Sequence, residues 1–118
     1  MHRMKLVKTF QFEAAHRLPG HPGKCREMHG HSYELVVSVE RPVDEKSGMA
    51  IDFSDLKQIV RREVVDRLDH RCVNDLLENP TAELMAEWIW QRLAASLPGL
   101  VEVELHETRD CSVVRRGD

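Results

Sequence analysis

Three histidines in this sequence raise the first chemical question. His29-Gly30-His31 sets two imidazoles two residues apart with only a glycine between them. In an extended strand, residues two apart share a face, so both rings can approach one ion. His16 ends an earlier alternating segment that also carries Phe10, Phe12 and Ala14. If both strands extend that far, all three rings point the way their apolar neighbours point. Neutral imidazole nitrogen suits zinc, and a catalytic zinc site takes three protein ligands while keeping one position open. On spacing alone, ordinary strand-end histidines are the slightly favoured reading, because H-x-H pairs are common by chance.

Other side chains could act beside such an ion. Cys25 stands four residues before His29, between Lys24 and Arg26. Flanking cations favour the thiolate, the nucleophilic and basic form of cysteine, although a loop cysteine without a role has the same surroundings. Asp69-His70 sets a carboxylate next to an imidazole, which it can orient for proton transfer; a solvated helix end gives the same pair. Glu107 continues the face of Val101, Val103 and Leu105. A carboxylate on an inward face is costly unless it is paired or binds something. The remaining thiols, Cys72 and Cys111, lack C-x-x-C spacing, and the total of three is odd. Reduced cysteines are the expectation.

The elements that must position these groups follow from periodicity. Met4 to Ala15 alternates as a first strand. His16 to Gly30 contains Pro19-Gly20 and Pro22-Gly23 and reads as a loop. A second strand carries Leu35, Val37 and Val39. Ser54 caps a helix with apolar positions Leu56, Ile59, Val60, Val64 and Leu68. Thr81 caps a second helix with Glu83 in its first turn and Leu84, Met85, Trp88, Ile89 and Leu93 along it, which stops before Pro98-Gly99. A third strand holds Val101, Val103 and Leu105, and a fourth covers Ser112 to Arg115. The order ββααββ predicts an α+β fold, an antiparallel four-stranded sheet with two helices on one face.

Composition narrows the class. With 118 residues, 42% hydrophobic and 31% charged, the chain reads as one domain, residues 1–118. A chain of this size buries about two thirds of its unfolded surface, so subunit association would help it. A net charge of -3 gives no reason to expect nucleic acid as a partner. No apolar run has the length of a membrane span, and Met1-His2-Arg3-Met4-Lys5 leads into alternation with no signal-peptide core; a cytoplasmic location is the expectation.

Six blocks then occur in order: Phe12-Glu13-Ala14-Ala15-His16-Arg17-Leu18, Cys25-x-x-x-His29-Gly30-His31, Gly48-Met49-Ala50-Ile51-Asp52-Phe53, Leu68-Asp69-His70, Asn79-Pro80-Thr81-Ala82-Glu83 and Glu107-Thr108. Together they resemble the 6-pyruvoyltetrahydropterin synthase family, over nearly the whole chain. Within it the likeness is greatest to the bacterial 6-carboxytetrahydropterin synthases of queuosine (7-deazapurine) biosynthesis.

The resemblance implies a tunnelling fold (T-fold) and a homohexamer of two stacked trimers with active sites between subunits. It implies zinc on His16, His29 and His31, Cys25 as the general base, and Asp69 with His70 as a second proton-transfer pair. Glu107 would anchor the pterin ring and join the proton relay, and Thr81 would help hold the pterin. The implied activity is that of a zinc-dependent carbon–carbon lyase acting on the small molecule 7,8-dihydroneopterin triphosphate. Zinc would orient and polarise the side-chain hydroxyls. Triphosphate would leave, and the products would be 6-carboxy-5,6,7,8-tetrahydropterin and acetaldehyde, without a redox cofactor. Arg17 and Lys24 would attract the triphosphate, although surface arginines and lysines are ordinarily only solvated.

The chain departs from the family pattern at Cys72-Val73-Asn74, where leucine usually precedes the asparagine, and at His106, where lysine is frequent before the glutamate. The three-residue gap between Cys25 and His29 is shorter than in animal-type pyruvoyl enzymes, which favours the carboxy product. The alternatives are the pyruvoyl product, by triphosphate elimination without side-chain cleavage, and a non-catalytic zinc- or pterin-binding module. The second would have no need of Cys25 and His70.

Overall fold

The computed structural model describes residues 2–117. β1 (Arg3–His16) and β2 (His29–Pro42) pair antiparallel along their full length, with Arg3 opposite Pro42 and His16 opposite His29. The expected loop is therefore shorter at both ends, because His16, His29 and Gly30 all lie in strands. β4 (Leu100–His106) adds to β2, and β5 (Ser112–Arg116) adds to β4, both antiparallel.

The sheet has five strands, not four, and it is mixed. β3 (Arg71–Cys72) pairs parallel with β1 through Ala14–Arg71 and Ala15–Cys72, giving the order β3-β1-β2-β4-β5. Two residues are too few to leave a period-two pattern in the sequence, which is why β3 was not legible there.

Alternation decides which face is covered. Phe10, Phe12, Ala14, Tyr33, Leu35, Val37, Val39, Val103 and Leu105 are buried on the inner face. Against them pack Leu56, Val60, Val64 and Leu68 from the first helical segment and Met85, Ile89 and Leu93 from the second. The first segment runs as α1 (Phe53–Val60), a π-helical stretch (Arg61–Val65) and α2 (Asp66–Leu68). Arg92 donates from Nε to the carbonyl of Glu63 at 2.6 Å, satisfying a carbonyl within the widened stretch. The α1 cap is Asp52, whose carboxylate accepts from the Ser54 N–H at 2.7 Å; the expected cap, Ser54, lies inside the helix. Thr81 caps α3 (Ala82–Ser96) as its position predicts, accepting from the Leu84 N–H.

The turn from α3 into β4 depends on Gly99, whose φ is 90°. A Cβ there would lie 2.7 Å from the Glu40 carbonyl oxygen, so the backbone approach that joins β4 to the end of β2 requires glycine. Among the described residues no helix is long and apolar enough to cross a membrane.

Candidate active site

The full pairing of β1 with β2 assembles the first group. The register sets His29 across from His16, and His31 across from Ala14. All three rings lie on the inner face at one end of the sheet. Their centroids stand 4.6 Å (His16–His29), 5.1 Å (His16–His31) and 4.9 Å (His29–His31) apart. One nitrogen from each ring falls within 4.8 Å of the other two. The strand-end reading thus gives way to a convergent cluster.

The far side of two rings fixes what the near side offers. Nδ1 of His16 lies 2.8 Å from the Pro80 carbonyl oxygen, and Nδ1 of His29 lies 2.8 Å from the Glu27 carbonyl oxygen. A carbonyl only accepts, so each Nδ1 carries the proton and each Nε2 presents a lone pair. Burial holds His16 below the ordinary imidazole range; the Pro80 contact and the Glu107 charge oppose this, and His29 and His31 add to it. Nε2 of His16 and Nε2 of His31 are buried without a hydrogen-bond partner among the described residues. Buried ring nitrogens left without a partner beside one another are what a bound cation relieves, so these residues fit a zinc ion.

Glu107 follows β4 directly and points inward as expected. Its Oε1 lies 3.4 Å from Nε2 of His16 and 3.7 Å from Nε2 of His31. Tyr33, stacked on Phe12 with centroids 5.0 Å apart, brings its hydroxyl within 3.3 Å of Nδ1 of His16. Burial first, and then the Glu107 charge, raise the Tyr33 phenol, which stays protonated.

Cys25 sits in a 3-10 turn (Lys24–Arg26), where its carbonyl accepts from the Leu18 N–H at 2.8 Å. The thiol is partly exposed and shares a cleft of about 590 Å³ with Lys24, Glu27 and His29. Lys24 thus lines the cleft beside Cys25. Arg17 is fastened by its backbone to the Asn74 side chain, at 2.8 and 2.9 Å.

Asp69 and His70 lie elsewhere on the chain. His70 has a φ of 59°, a left-handed conformation unusual for a residue with a side chain. The Glu13 backbone clamps the pair: its N–H donates to Asp69 Oδ1 at 2.9 Å, and its carbonyl accepts from the His70 N–H at 2.6 Å. Asp69 Oδ1 also faces Nδ1 of His70 at 3.1 Å. The Glu13 N–H above all, with His70 contributing, holds the Asp69 carboxyl below its ordinary range. The His70 ring is 78% exposed and lines a second cleft, about 510 Å³, with Glu13, Gly30, His31, Ser32 and Cys72. Cys25 and His70 therefore line different clefts of one chain, both bordered by the histidine cluster.

Thr81 follows Pro80, whose carbonyl orients His16, and its hydroxyl oxygen accepts from the Leu84 N–H at 3.1 Å. Sequence reasoning missed Pro80, Glu27 and Glu13, which act through backbone atoms and leave no side-chain signature. Tyr33 had one: a polar ring in the inward series between His31 and Leu35.

The profile of the 6-pyruvoyl tetrahydropterin synthase family matches residues 5–118. The chain belongs to this family. It is 46% identical over 110 residues to the 6-carboxy-5,6,7,8-tetrahydropterin synthase of Synechocystis sp., covering 87% of this chain and 85% of that one. It is 40% identical over 102 residues to the 6-pyruvoyl tetrahydrobiopterin synthase of Dictyostelium discoideum, covering 81% and 76%. The structure of the Caenorhabditis elegans 6-pyruvoyl tetrahydropterin synthase superposes with a TM-score of 0.90 at 28% identity, covering 100% of this chain and 98% of that one. The sheet and helices described above are thus the T-fold of the pterin synthase family, and the chain's function is a pterin-processing one.

Proposed function

We propose that the protein is a zinc-dependent lyase that converts 7,8-dihydroneopterin triphosphate and water into 6-carboxy-5,6,7,8-tetrahydropterin, acetaldehyde and triphosphate, within queuosine biosynthesis in the cytoplasm. The observation that carries this reading is the convergence of His16, His29 and His31 on one point, with two orphaned buried nitrogens facing it. The 46% identity to a 6-carboxytetrahydropterin synthase supports the carboxy product.

His16, His29 and His31 would hold the zinc. When bound, zinc supplies Lewis acidity toward the substrate's side-chain hydroxyls. Cys25, in the cleft it shares with His29, acts as general base and takes the proton from the substrate's side-chain carbon. His70 moves protons on the opposite side of the substrate. Asp69, kept ionised by the Glu13 N–H, orients that ring. Glu107 accepts from the pterin's ring N–H and amino group in parallel, a charge-assisted pair that offsets the cost of its inward position. The Thr81 hydroxyl proton is free to reach a pterin oxygen, because only the hydroxyl's oxygen is used in capping. Lys24, beside Cys25, contributes positive charge for the triphosphate.

A homohexamer with sites between subunits accounts for Cys25 and His70 lining different clefts of one chain. Two open edges support assembly: β1 is paired with β3 only at Ala14 and Ala15, and β5 ends the sheet. The 40% identity to a 6-pyruvoyl tetrahydrobiopterin synthase keeps triphosphate elimination without side-chain cleavage as the second reading. A module that only binds zinc or a pterin would gain nothing from the Glu13 clamp on Asp69-His70. Incubation with 7,8-dihydroneopterin triphosphate followed by mass spectrometry decides among the three. The expected product is the carboxypterin with acetaldehyde; a pyruvoyl pterin or unchanged substrate would overturn the assignment.

A further inference from the structure

Holding a pterin does not account for where the Glu107 carboxylate stands. Its Oε1 is 3.4 Å from Nε2 of His16 and 3.7 Å from Nε2 of His31. A charge-assisted hydrogen bond between such groups would be about 2.7–2.9 Å long. The Pro80 carbonyl also takes the His16 proton on the other nitrogen, so the carboxylate faces a lone pair. Two acceptors opposed in this way repel unless a cation lies between them.

The separation itself points to the cation. Two ligand atoms bound at about 2.0–2.2 Å to a tetrahedral ion stand roughly 3.3–3.5 Å apart. The Glu107 distance to His16 lies within that span, and the distance to His31 just beyond it. Glu107 thus stands at a fourth donor's spacing from His16 and close to that spacing from His31.

We infer that Glu107 is the fourth donor of the resting metal site and that a bound pterin draws it away, opening the position for the substrate. The inference rests on the proposed zinc site and deepens the role of Glu107 in it. One carboxylate cannot give an oxygen to the metal and both oxygens to the flat donor edge of a pterin. The recognised end of the substrate therefore uncovers the position that its reacting side chain needs, and a molecule without that edge leaves the metal closed.

Glu107→Gln keeps the shape and removes the charge; Glu107→Asp keeps the charge and withdraws it by one methylene. The measurements are zinc affinity by chelator competition, and the visible spectrum of the cobalt(II)-substituted proteins with and without acetate or neopterin. Each variant is first shown to elute as wild type does. The expected result is zinc binding weaker by on the order of 10-fold or more in both variants. Acetate should alter the cobalt spectrum of both variants and leave that of wild type unchanged, whereas neopterin should alter the wild-type spectrum. Wild-type zinc affinity and wild-type acetate response in Glu107→Gln would overturn the inference while leaving the zinc site standing. A Glu107→Asp protein matching wild type in both would also overturn it, since charge at a distance would then suffice. Failure of the wild-type protein to bind zinc would instead remove the metal reading, and this inference with it.

Discussion

Nδ1 of His16 and the carbonyl oxygen of Pro80 lie 2.8 Å apart, across 64 residues of sequence. That contact commits the His16 proton to the side away from the cluster and leaves Nε2 as an acceptor aimed at the other rings. The block before α3 thereby prepares a ligand at the end of β1.

The purified protein should accordingly bind about one zinc per chain. His31→Ala should lose metal and activity but stay folded, because its ring is partly exposed. His16→Ala should lose stability as well, by on the order of 2–4 kcal/mol, because it empties a fully buried site. Metal analysis and urea unfolding test both. Full activity in a metal-free His31→Ala protein would overturn the ligand assignment.

Cys25 shares its cleft with Lys24 and His29, whereas Cys72 lines the His70 cleft. Cys25→Ala should keep zinc and lose turnover by on the order of 10²-fold or more, the usual cost of a missing general base. Cys72→Ala and Cys111→Ser should stay near wild type. Cys72 contacts Met28 and Asn74, with sulfur distances of 3.9 and 3.7 Å, and Cys111 is exposed. Steady-state rates on zinc-checked proteins decide; normal turnover in Cys25→Ala would move the basic role to His70.

At His70 the backbone separates catalysis from folding. His70→Ala and His70→Gly both remove the imidazole, and both should lose turnover by on the order of 10²-fold. Only glycine is at ease at a φ of 59°, so His70→Gly should be the more stable of the two by about 1 kcal/mol. Equal urea midpoints would show that the left-handed turn carries no strain.

Asp69 gives a pH signature. Its folded-state pKa is lowered, chiefly by the Glu13 N–H. The unfolded chain therefore binds the proton more readily, and the stabilisation is present above the ordinary carboxylate value of about 3.9 and lost as pH falls through the folded value. The stability difference between wild type and Asp69→Asn should shrink between roughly pH 5 and pH 2. A difference independent of pH would show that the carboxylate's charge is not what the Glu13 N–H recognises.

The sequence carried the parity of His16, His29, His31 and Glu107, because strand alternation survives in side-chain types. It also carried the Thr81 cap and the inward rows of Leu35, Val37, Val39, Val103 and Leu105. It did not carry β3, whose two residues are shorter than any period. Nor did it show the π-helical stretch, because Val60, Val64 and Leu68 keep helical spacing through it. Asp52 was passed over as the α1 cap because Ser54, two residues on, has an equally good capping side chain. The orienting carbonyls of Pro80 and Glu27 belong to the backbone, which every residue type shares, so only coordinates could place them.

The last prediction concerns which chains build one site. Cys25 and His70 line different clefts of a single chain, yet the proposed chemistry needs them on two sides of one substrate. A site shared between subunits reconciles these facts. Light scattering should show a multimer, most consistent with six chains. Cys25→Ala and His70→Ala proteins should each keep only the residual turnover, lower by on the order of 10²-fold, when assembled alone. Unfolded together and reassembled in equal amounts, they should regain activity, because some sites then draw Cys25 from one parent and His70 from the other. Random mixing restores about a quarter of the sites. Recovery near that level establishes a shared site. A mixture no more active than its parents, from subunits shown to have exchanged, would place Cys25 and His70 of the same chain at each site.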